Sequence, residues 1–360
     1  MLNIRQIAEA AGVSAATVSR VLNGSTNVHP KTREKVRAIL REQRYIPNLL
    51  GPALLKGQTK TVAFIIPDIT NTFFTEIASA FQNTVQAAGK TVIVGNTNEN
   101  VRTEQQIISS VLGHRVDGIA LAPVGRDSYE SITLILHYNT PLVLLDREVE
   151  NVEGVSVVRG DNVHGTRLLT EHLLSSGYRR LAVITGPEGV STADERLEAF
   201  LTSCREAGHD VLPEPIVRSQ LNVDEGRNAA LKLLQTDPRP DAVVATNNFL
   251  ALGCVQAARA LGLAIPDDLG VVSFDGFANS LGIEPFLTAV EQPTREMGEL
   301  AAKILLGKMP GDKAAQEENA NGDANGGAKA EGAPAMHRYL FKPVLSVHAS
   351  SRRNRPMSLN

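Results

Sequence analysis

Two rhythms of apolar and polar positions divide this chain. Over its first 45 residues the apolar positions recur at helical spacing: Ile4, Ile7, Ala8 and Ala11 share one face, Val18, Val21 and Leu22 a second, and Val36, Ile39 and Leu40 a third. Gly12 supplies the backbone freedom for a tight corner between the first two segments. Ser14 stands where an N-cap belongs, with its hydroxyl placed to take a backbone N–H near Thr17. Pro30, after His29, suits the first position of the third helix. Helix, glycine turn, helix and supporting helix describe either an ordinary helical hairpin in a larger core or a helix-turn-helix, whose second helix enters the major groove of DNA.

From residue 61 the rhythm changes. TVAFIIPD, TVIVGNT, VDGIALAP and PLVLLD are short runs rich in β-branched residues, separated by amphipathic stretches such as FTEIASAFQNTVQAAG, with Ile77, Phe81 and Val85 on one helical face. The pattern repeats in LAVITG, PIVRSQ, DAVVATN and LGVVSFDG. Near-continuous apolar strands between helices predict parallel sheets covered on both faces. Roughly 280 residues of this pattern exceed one ordinary core and predict two lobes, with the division near VSVVRGD. Residues 311–335 are different: Ala, Gly and Asn fill sixteen of twenty-five positions, with no aromatic, Val, Ile or Leu. Such a segment buries nothing that offsets the entropy of ordering, and it reads as a disordered insertion before a last strand, RYLFKPVLSVHAS, and a loose tail over 349–360.

Charge favours the helix-turn-helix. Residues 1–60 carry ten Lys/Arg against three Asp/Glu, whereas the whole chain stands at −3, so residues 61–360 sum to −10. A basic head on an acidic body is the footprint of a chain that grips nucleic acid at one end only. Enzymatic readings find little support. There is no Gly-x-Gly-x-x-Gly after a strand, no phosphate-binding Walker loop, no Gly-x-Ser-x-Gly elbow, and no Cys or His spacing that suits a metal. No catalytic residue, metal ligand or cofactor is therefore assigned. Cys204 and Cys254 fall in helices and read as buried reduced thiols. The amino terminus has no signal-peptide pattern and no apolar run approaches membrane length, so the expected location is the cytoplasm, with no membrane partner. The body alone would also fit a transporter's solute-binding component, but the basic head argues against that.

AEAAGVSAATVSRVLNG, followed by TREKVRAILREQRYIPN, resembles the headpiece of the lactose-repressor/galactose-repressor (LacI/GalR) family of transcription factors, and the likeness extends from residue 4 to about 348. The resemblance implies that Ala15, Ala16 and Arg20 face base edges. Arg20 would bind guanine O6 and N7 with both fork nitrogens, and the two alanines would meet apolar features such as a thymine methyl. Thr17, Ser19 and Asn23, together with Ser14 and Lys31, are the expected phosphate-side contacts, which fix register without reading sequence. Leu54 matches the residue that relatives wedge into the minor groove from a hinge helix formed on DNA. Here Gly51-Pro52 replaces the family's usual Ala-Arg. Gly costs about 1 kcal/mol in a helix relative to Ala, and Pro lacks an N–H, so a weaker or shorter hinge helix is expected. The other reading is an unstructured linker with Leu54 and Leu55 packed on the core.

For the body, the resemblance implies a periplasmic-binding-protein type of fold, two α/β lobes linked by three crossovers near 159–162, 287–293 and after 307. The expected organisation is a helix-turn-helix domain over 1–46 and a hinge over 47–60. An effector core follows over 61–348, with lobe 1 spanning 61–159 and 292–310 and lobe 2 spanning 160–289 and 337–348. Ligands of such sheets bind beyond the carboxyl ends of the strands, where the strand reading alone places Asp68, Asn71, Asp146-Arg147, Asn247-Asn248, Asp275 and Gln292. The resemblance adds that Phe73, Phe74, Asp146, Arg196, Asn247, Asp275 and Gln292 match common effector contacts. Structural alternatives stand beside these. Phe73 and Phe74 could be core residues, Arg196 an exposed helix partner of Asp194 or Glu198, and Asp275 a turn cap with Gly276. Leu221 stands where some relatives stack an aromatic on the ligand, which favours a small polyol over a flat base. The function implied is a ligand-responsive repressor: a homodimer on an inverted-repeat operator in double-stranded DNA, controlled by a sugar-like effector between the lobes.

Arg20→Ala is expected to abolish discrimination between operator and random duplex, and Lys31→Ala to weaken binding to every duplex about equally. Binding series across salt concentrations check both; unchanged discrimination in the Arg20 variant would remove it from base readout.

Overall fold

The computed structural model describes residues 3–22, 24–45, 58–209, 216–277, 285–309 and 337–353. Asn23, Leu54 and Leu55, Gly51-Pro52, the 311–335 segment and the end of the tail lie outside the described residues. Two compact units emerge, Met1–Thr59 and Lys60–Asn360.

The first unit holds three helices, α1 (Ile4–Ala11), α2 (Ala15–Leu22) and α3 (Pro30–Glu42). Ile7, Ala8, Ala11, Val18, Val21, Val28 and Val36 are buried together, the apolar faces that the helical spacing predicted. A capping box that the sequence reading missed starts α1: Asn3 Oδ1 accepts from Gln6 N at 3.0 Å and Gln6 Oε1 from Asn3 N at 2.8 Å. Gly12 ends that helix at φ +64°, where a side chain would be strained. Ser14 Oγ accepts from Thr17 N at 3.1 Å, and Pro30 opens α3 after a His29 that gives no side-chain cap.

The second unit is two stacked copies of one plan. The first sheet, ordered β11-β5-β4-β3-β1-β2, comprises β1 (Thr61–Ile66), β2 (Thr91–Asn96), β3 (Gly118–Leu121), β4 (Leu142–Leu145), β5 (Ser156–Gly160) and β11 (Arg338–Phe341). The second, ordered β12-β10-β9-β8-β6-β7, comprises β6 (Leu181–Thr185), β7 (Ile216–Arg218), β8 (Ala242–Ala245), β9 (Gly270–Phe274), β10 (Thr288–Glu291) and β12 (Val344–Ser346). Helices α4 (Thr72–Ala87), α5 (Val101–Gly113), α6 (Tyr129–His137) and α11 (Thr294–Gly307) go with the first sheet. Helices α7 (Asn162–Ser175), α8 (Ser191–Glu206), α9 (Val223–Leu234) and α10 (Asn248–Ala260) go with the second. Each sheet separates two apolar clusters, one per face. This explains the near-continuous burial of β1, β3 to β6, β8 and β9.

Four features depart from the sequence reading. The tail is not loose from residue 349: Ser350 and Ser351 are fully buried, Ser350 Oγ donates to Val271 O at 2.6 Å and accepts from Thr288 N at 2.8 Å, and Arg353 lies 3.9 Å above the Tyr178 ring. RYLFKPVLSVHAS is not one strand: Pro343, which has no N–H to give a ladder, breaks it in two. Residues 337–348 therefore do not all join lobe 2. Arg338–Phe341 pairs in parallel with β5 in the first sheet, and only β12 pairs with β10, antiparallel. The chain accordingly changes lobe at 160–162, 291–294 and 341–344. TVIVGN forms an edge strand and not a buried one, with Ile93 46% and Val94 40% exposed.

Candidate functional site

In the helical unit, Ala16 and Arg20 are exposed on α2 and lie one turn apart, so they share a face. Ala15 is half-buried and packs on the headpiece core, which leaves it less available to a base edge than its neighbour. Ser14 and Thr17 bond to each other at 2.9 Å at the amino end of α2, Ser19 is half-buried on the same helix, and Lys31 is exposed in the first turn of α3. Arg5, Lys35 and Arg37 add exposed positive charge. Arg33 is committed differently: its guanidinium donates to Ser25 O at 2.9 Å and holds the loop between α2 and α3. Asn23 and Leu54 fall outside the described residues.

In the α/β unit, the carboxyl ends of strands from both sheets converge on one small cavity of about 30 Å³. Asn71, Phe73, Phe74, Asp146, Arg196, Asn247 and Asp275 line it. Gln292 reaches it through Asp275, donating Nε2 to the carboxylate at 2.8 Å. A space of that volume holds about one water, so the lobes are closed upon it. Across Leu221, which lines both, an outer cavity of about 280 Å³ lies between Asn100, Gly125 and Gln220.

Each polar group is placed by a strand end or a helix start. Asn71 and Asn247 cap α4 and α10, accepting from Phe73 N at 3.1 Å and Leu250 N at 2.9 Å. Asp146 and Asp275 follow β4 and β9, the equivalent strands of the two sheets, and both adopt φ +62°. Their N–H groups donate to Val158 O and Val290 O, at 2.9 and 3.0 Å, so each is tied to the neighbouring strand while its carboxylate turns to the cleft. Left-handed backbone at a non-glycine residue is costly and persists where surroundings over-determine it.

Arg196 is the cationic centre. Only 5% of its surface is exposed, which rules out the exposed-partner reading. Nε donates to Asn162 Oδ1 at 2.8 Å, Nη1 to Thr246 O at 2.6 Å, and the guanidinium lies 3.5 Å above the Phe274 ring. Burial lowers its pKa, and the charges of Asp275 and Asp146 act in the opposite sense. The other cation here, Arg147, is spent: Glu99 takes two of its nitrogens at 2.6 and 2.7 Å, and Val124 O accepts at 2.9 Å. Phe73 and Phe74, an edge-to-face pair with centroids 5.0 Å apart, belong to the lobe 1 core, as the core reading has it, and also line the cavity wall. Gly160 leaves room for Gln292, whose Oε1 a Cβ at that position would strike. That oxygen is buried with no hydrogen-bond partner among the described residues.

Asn162, Thr246 and Phe274 were missed, and Asn248, expected at a strand end, was not expected to bridge the lobes. Asn248 donates to Asn71 Oδ1 at 3.1 Å, joining the lobes. Asn162 follows β5 and Thr246 follows β8, so the strand-end rule that found their neighbours could have found them; nothing in sequence flags Phe274 as a guanidinium platform. Among the described residues no cluster of His, Cys, Asp or Glu suits a metal, and no helix is long and apolar enough to cross a membrane.

Burial pushes the Asp275 carboxyl up to about 6, against the opposing pull of Arg196 and Gln292; Asp146 and Glu76 add to the rise. A folded-state value above the ordinary one means that this group's stabilisation is full below the unfolded value and is lost as pH rises through 6. Because that loss accrues between the ordinary value of 3.8 and about 6, Asp275→Asn is expected to raise the melting temperature of the ligand-free protein clearly more at about pH 7.5 than at about pH 5. Thermal unfolding at the two pH values checks this; equal shifts at both would contradict it.

Residues 3–48 match the model for "Bacterial regulatory proteins, lacI family", and residues 59–323 that for "Periplasmic binding proteins and sugar binding domain of LacI family". The ribose operon repressor of Halalkalibacterium halodurans is 35% identical over 308 residues, covering 85% of this chain and 90% of that protein. Two solved structures are similar over nearly the full length. The transcriptional regulator CelR–cellobiose complex aligns with a TM-score of 0.68 and 27% identity, covering 98% of this chain and 100% of that one. The lac repressor dimer bound to operator and the anti-inducer ONPF gives 0.77 and 25%, covering 97% and 99%.

Proposed function

The chain belongs to the LacI family of bacterial regulatory proteins, and on that footing we propose that its cleft takes an uncharged sugar of monosaccharide size whose binding sets operator affinity. The family consists of DNA-binding transcriptional regulators and not of enzymes, and this chain is such a regulator.

The buried Arg196, opposed by two carboxylates, carries the reading of the ligand. Asp146 and Asp275 accept hydroxyl hydrogens, Arg196 donates to a ring or hydroxyl oxygen, and Asn71 and Asn247 serve either polarity. With Arg147 held by Glu99, no further cation lines the inner cavity among the described residues, and Arg126 at the outer one faces Glu188 at 3.4 Å. Phe73 and Phe74 offer apolar surface to a sugar face. The inner cavity with its outer neighbour suits a monosaccharide once the lobes part. The names of the similar ribose repressor and of the cellobiose complex point to the same chemistry.

Two copies would place two headpieces on an inverted repeat, as the similar lac repressor structure is a dimer on its operator. The exposed edge strand with Ile93 and Val94 gives such a dimer apolar surface to cover. The workplace is the cytoplasm, and Arg20 with Ala16 forms the reading edge of α2.

Thermal-shift screening tests the ligand class. D-ribose and related neutral sugars at about one hundred times their dissociation constant are expected to raise the melting temperature by roughly 4–8 °C, with purines and sugar phosphates inert. A shift from purines or sugar phosphates with none from neutral sugars would overturn the reading.

A further inference from the structure

Beside the cleft, at the first crossover, lies a charge network that the effector site as described does not use. Arg159 is the penultimate residue of β5 in lobe 1, with 4% of its surface exposed. One guanidinium nitrogen meets Glu148 of lobe 1 at 2.8 Å; the other meets Glu195 on α8 of lobe 2. Glu148 is held from its far side by Arg338 of β11 at 2.9 Å. Glu195 in turn accepts from Asn162 Nδ2 at 2.9 Å, and the oxygen of that same amide accepts from Arg196 Nε. A continuous chain thus runs from the exposed Arg338 through Glu148, Arg159, Glu195 and Asn162 to the guanidinium at the centre of the cavity.

We infer that Arg159 and Glu195 are positioning residues for the effector site: their ion pair latches the lobes closed and, through Asn162, fixes where Arg196 points. This rests on the reading that the cleft binds the effector. Glu195 and Arg196 are consecutive on α8, so whatever holds the first also orients the second. Asn162 presents its amide oxygen to Arg196 only while its NH2 is engaged by Glu195, which sets which way the amide faces.

The pair joins different lobes, whereas Arg159–Glu148 and Arg338–Glu148 lie within one. Parting the lobes therefore breaks one link and leaves the others. What is lost is one of the two carboxylates on a guanidinium that the adjoining lobes keep 4% exposed and whose Nε has no hydrogen-bond partner among the described residues. Separating a buried ion pair costs free energy that Glu148 and entering water return only in part, so the closed state is favoured. Glu195, with a side chain 37% exposed, gains solvent on opening and pays less. The asymmetry places the closing force on Arg159. Effector binding, which also closes the cleft, is then favoured by a contact that the ligand never touches.

The test uses full-length protein carrying Gln86→Cys on α4 and Lys232→Cys on α9, both exposed, labelled with nitroxides and diluted into unlabelled chain. Cys204 and Cys254 are buried, with thiols pushed up to about 11 and about 12, and do not compete for label. Pulsed electron resonance reads the interlobe distance, and calorimetry reads affinity for a panel of D-ribose, D-galactose and cellobiose. Arg159→Met and Glu195→Gln are each expected to move the distance distribution toward a longer, open population and to weaken sugar binding about tenfold, and the double variant to be no worse than the weaker single. Glu171→Gln, in an exposed pair elsewhere on lobe 2, is the unchanged control. Distances that do not move with affinity within twofold, or single effects that simply multiply, would overturn the proposal. Should Arg159→Met fail to fold, Glu195→Gln carries the test on a half-exposed side chain. If none of the sugars binds even the parent protein while the variants still open, the latch stands and the sugar reading falls.

Discussion

A guanidinium held away from water must be answered by anions and acceptors, or the structure around it does not persist. Arg196 imposes that demand on both lobes. The start of α7 and the strand ends of lobe 2 supply Asn162, Thr246 O, the Phe274 ring and Asp275, while Asp146 comes from lobe 1. Two carboxylates and two guanidiniums meet at the cavity wall, but Arg147 is taken up by Glu99, and burial raises the Asp275 carboxyl against the pull of Arg196. Acceptors from both lobes with one uncommitted guanidinium between them suit the hydroxyls of a polyol.

The duplicated plan of the core makes this possible. β4 and β9 occupy the same place in the two sheets, and each delivers one left-handed aspartate to the interface. Parallel sheets bring their carboxyl ends to a common edge, and two such edges facing each other make a site that neither lobe could make alone. The three crossovers at 160–162, 291–294 and 341–344 hold the lobes as one unit yet leave only short segments to flex. A regulator of this family needs this behaviour, since ligand can alter DNA affinity only through a difference in how it fits two arrangements of the chain.

Much of this was legible in the residues. The headpiece helices follow from apolar spacing because a small three-helix unit must bury one stripe per helix. The strand-end positions of Asn71, Asp146, Asn247 and Asp275 follow from the βα pattern, because it fixes which end of each strand carries the loop. Arg196 lies one turn inside α8, where strand-end reasoning does not reach, and only the family likeness pointed to it. The split of RYLFKPVLSVHAS between sheets was missed because strand propensity does not say which sheet an edge strand joins, although Pro343 was a visible break. The exposure of Ile93 and Val94 was missed for a related reason: an apolar run does not reveal that it ends up at an edge. The bridge made by Asn248 depends on how two lobes meet, that of Asn162 on how two helices of lobe 2 meet, and side-chain pairings between distant segments leave no periodic trace.

The account stands or falls on Arg196 as the residue through which the cleft speaks to DNA. Operator binding by the full-length protein, followed by fluorescence anisotropy with and without the sugar that stabilises it, tests this for the parent and for Arg196→Ala. The account predicts that the variant binds operator as the parent does and no longer responds to sugar. An Arg196→Ala protein whose operator affinity still shifts with sugar by the parent's factor would contradict it.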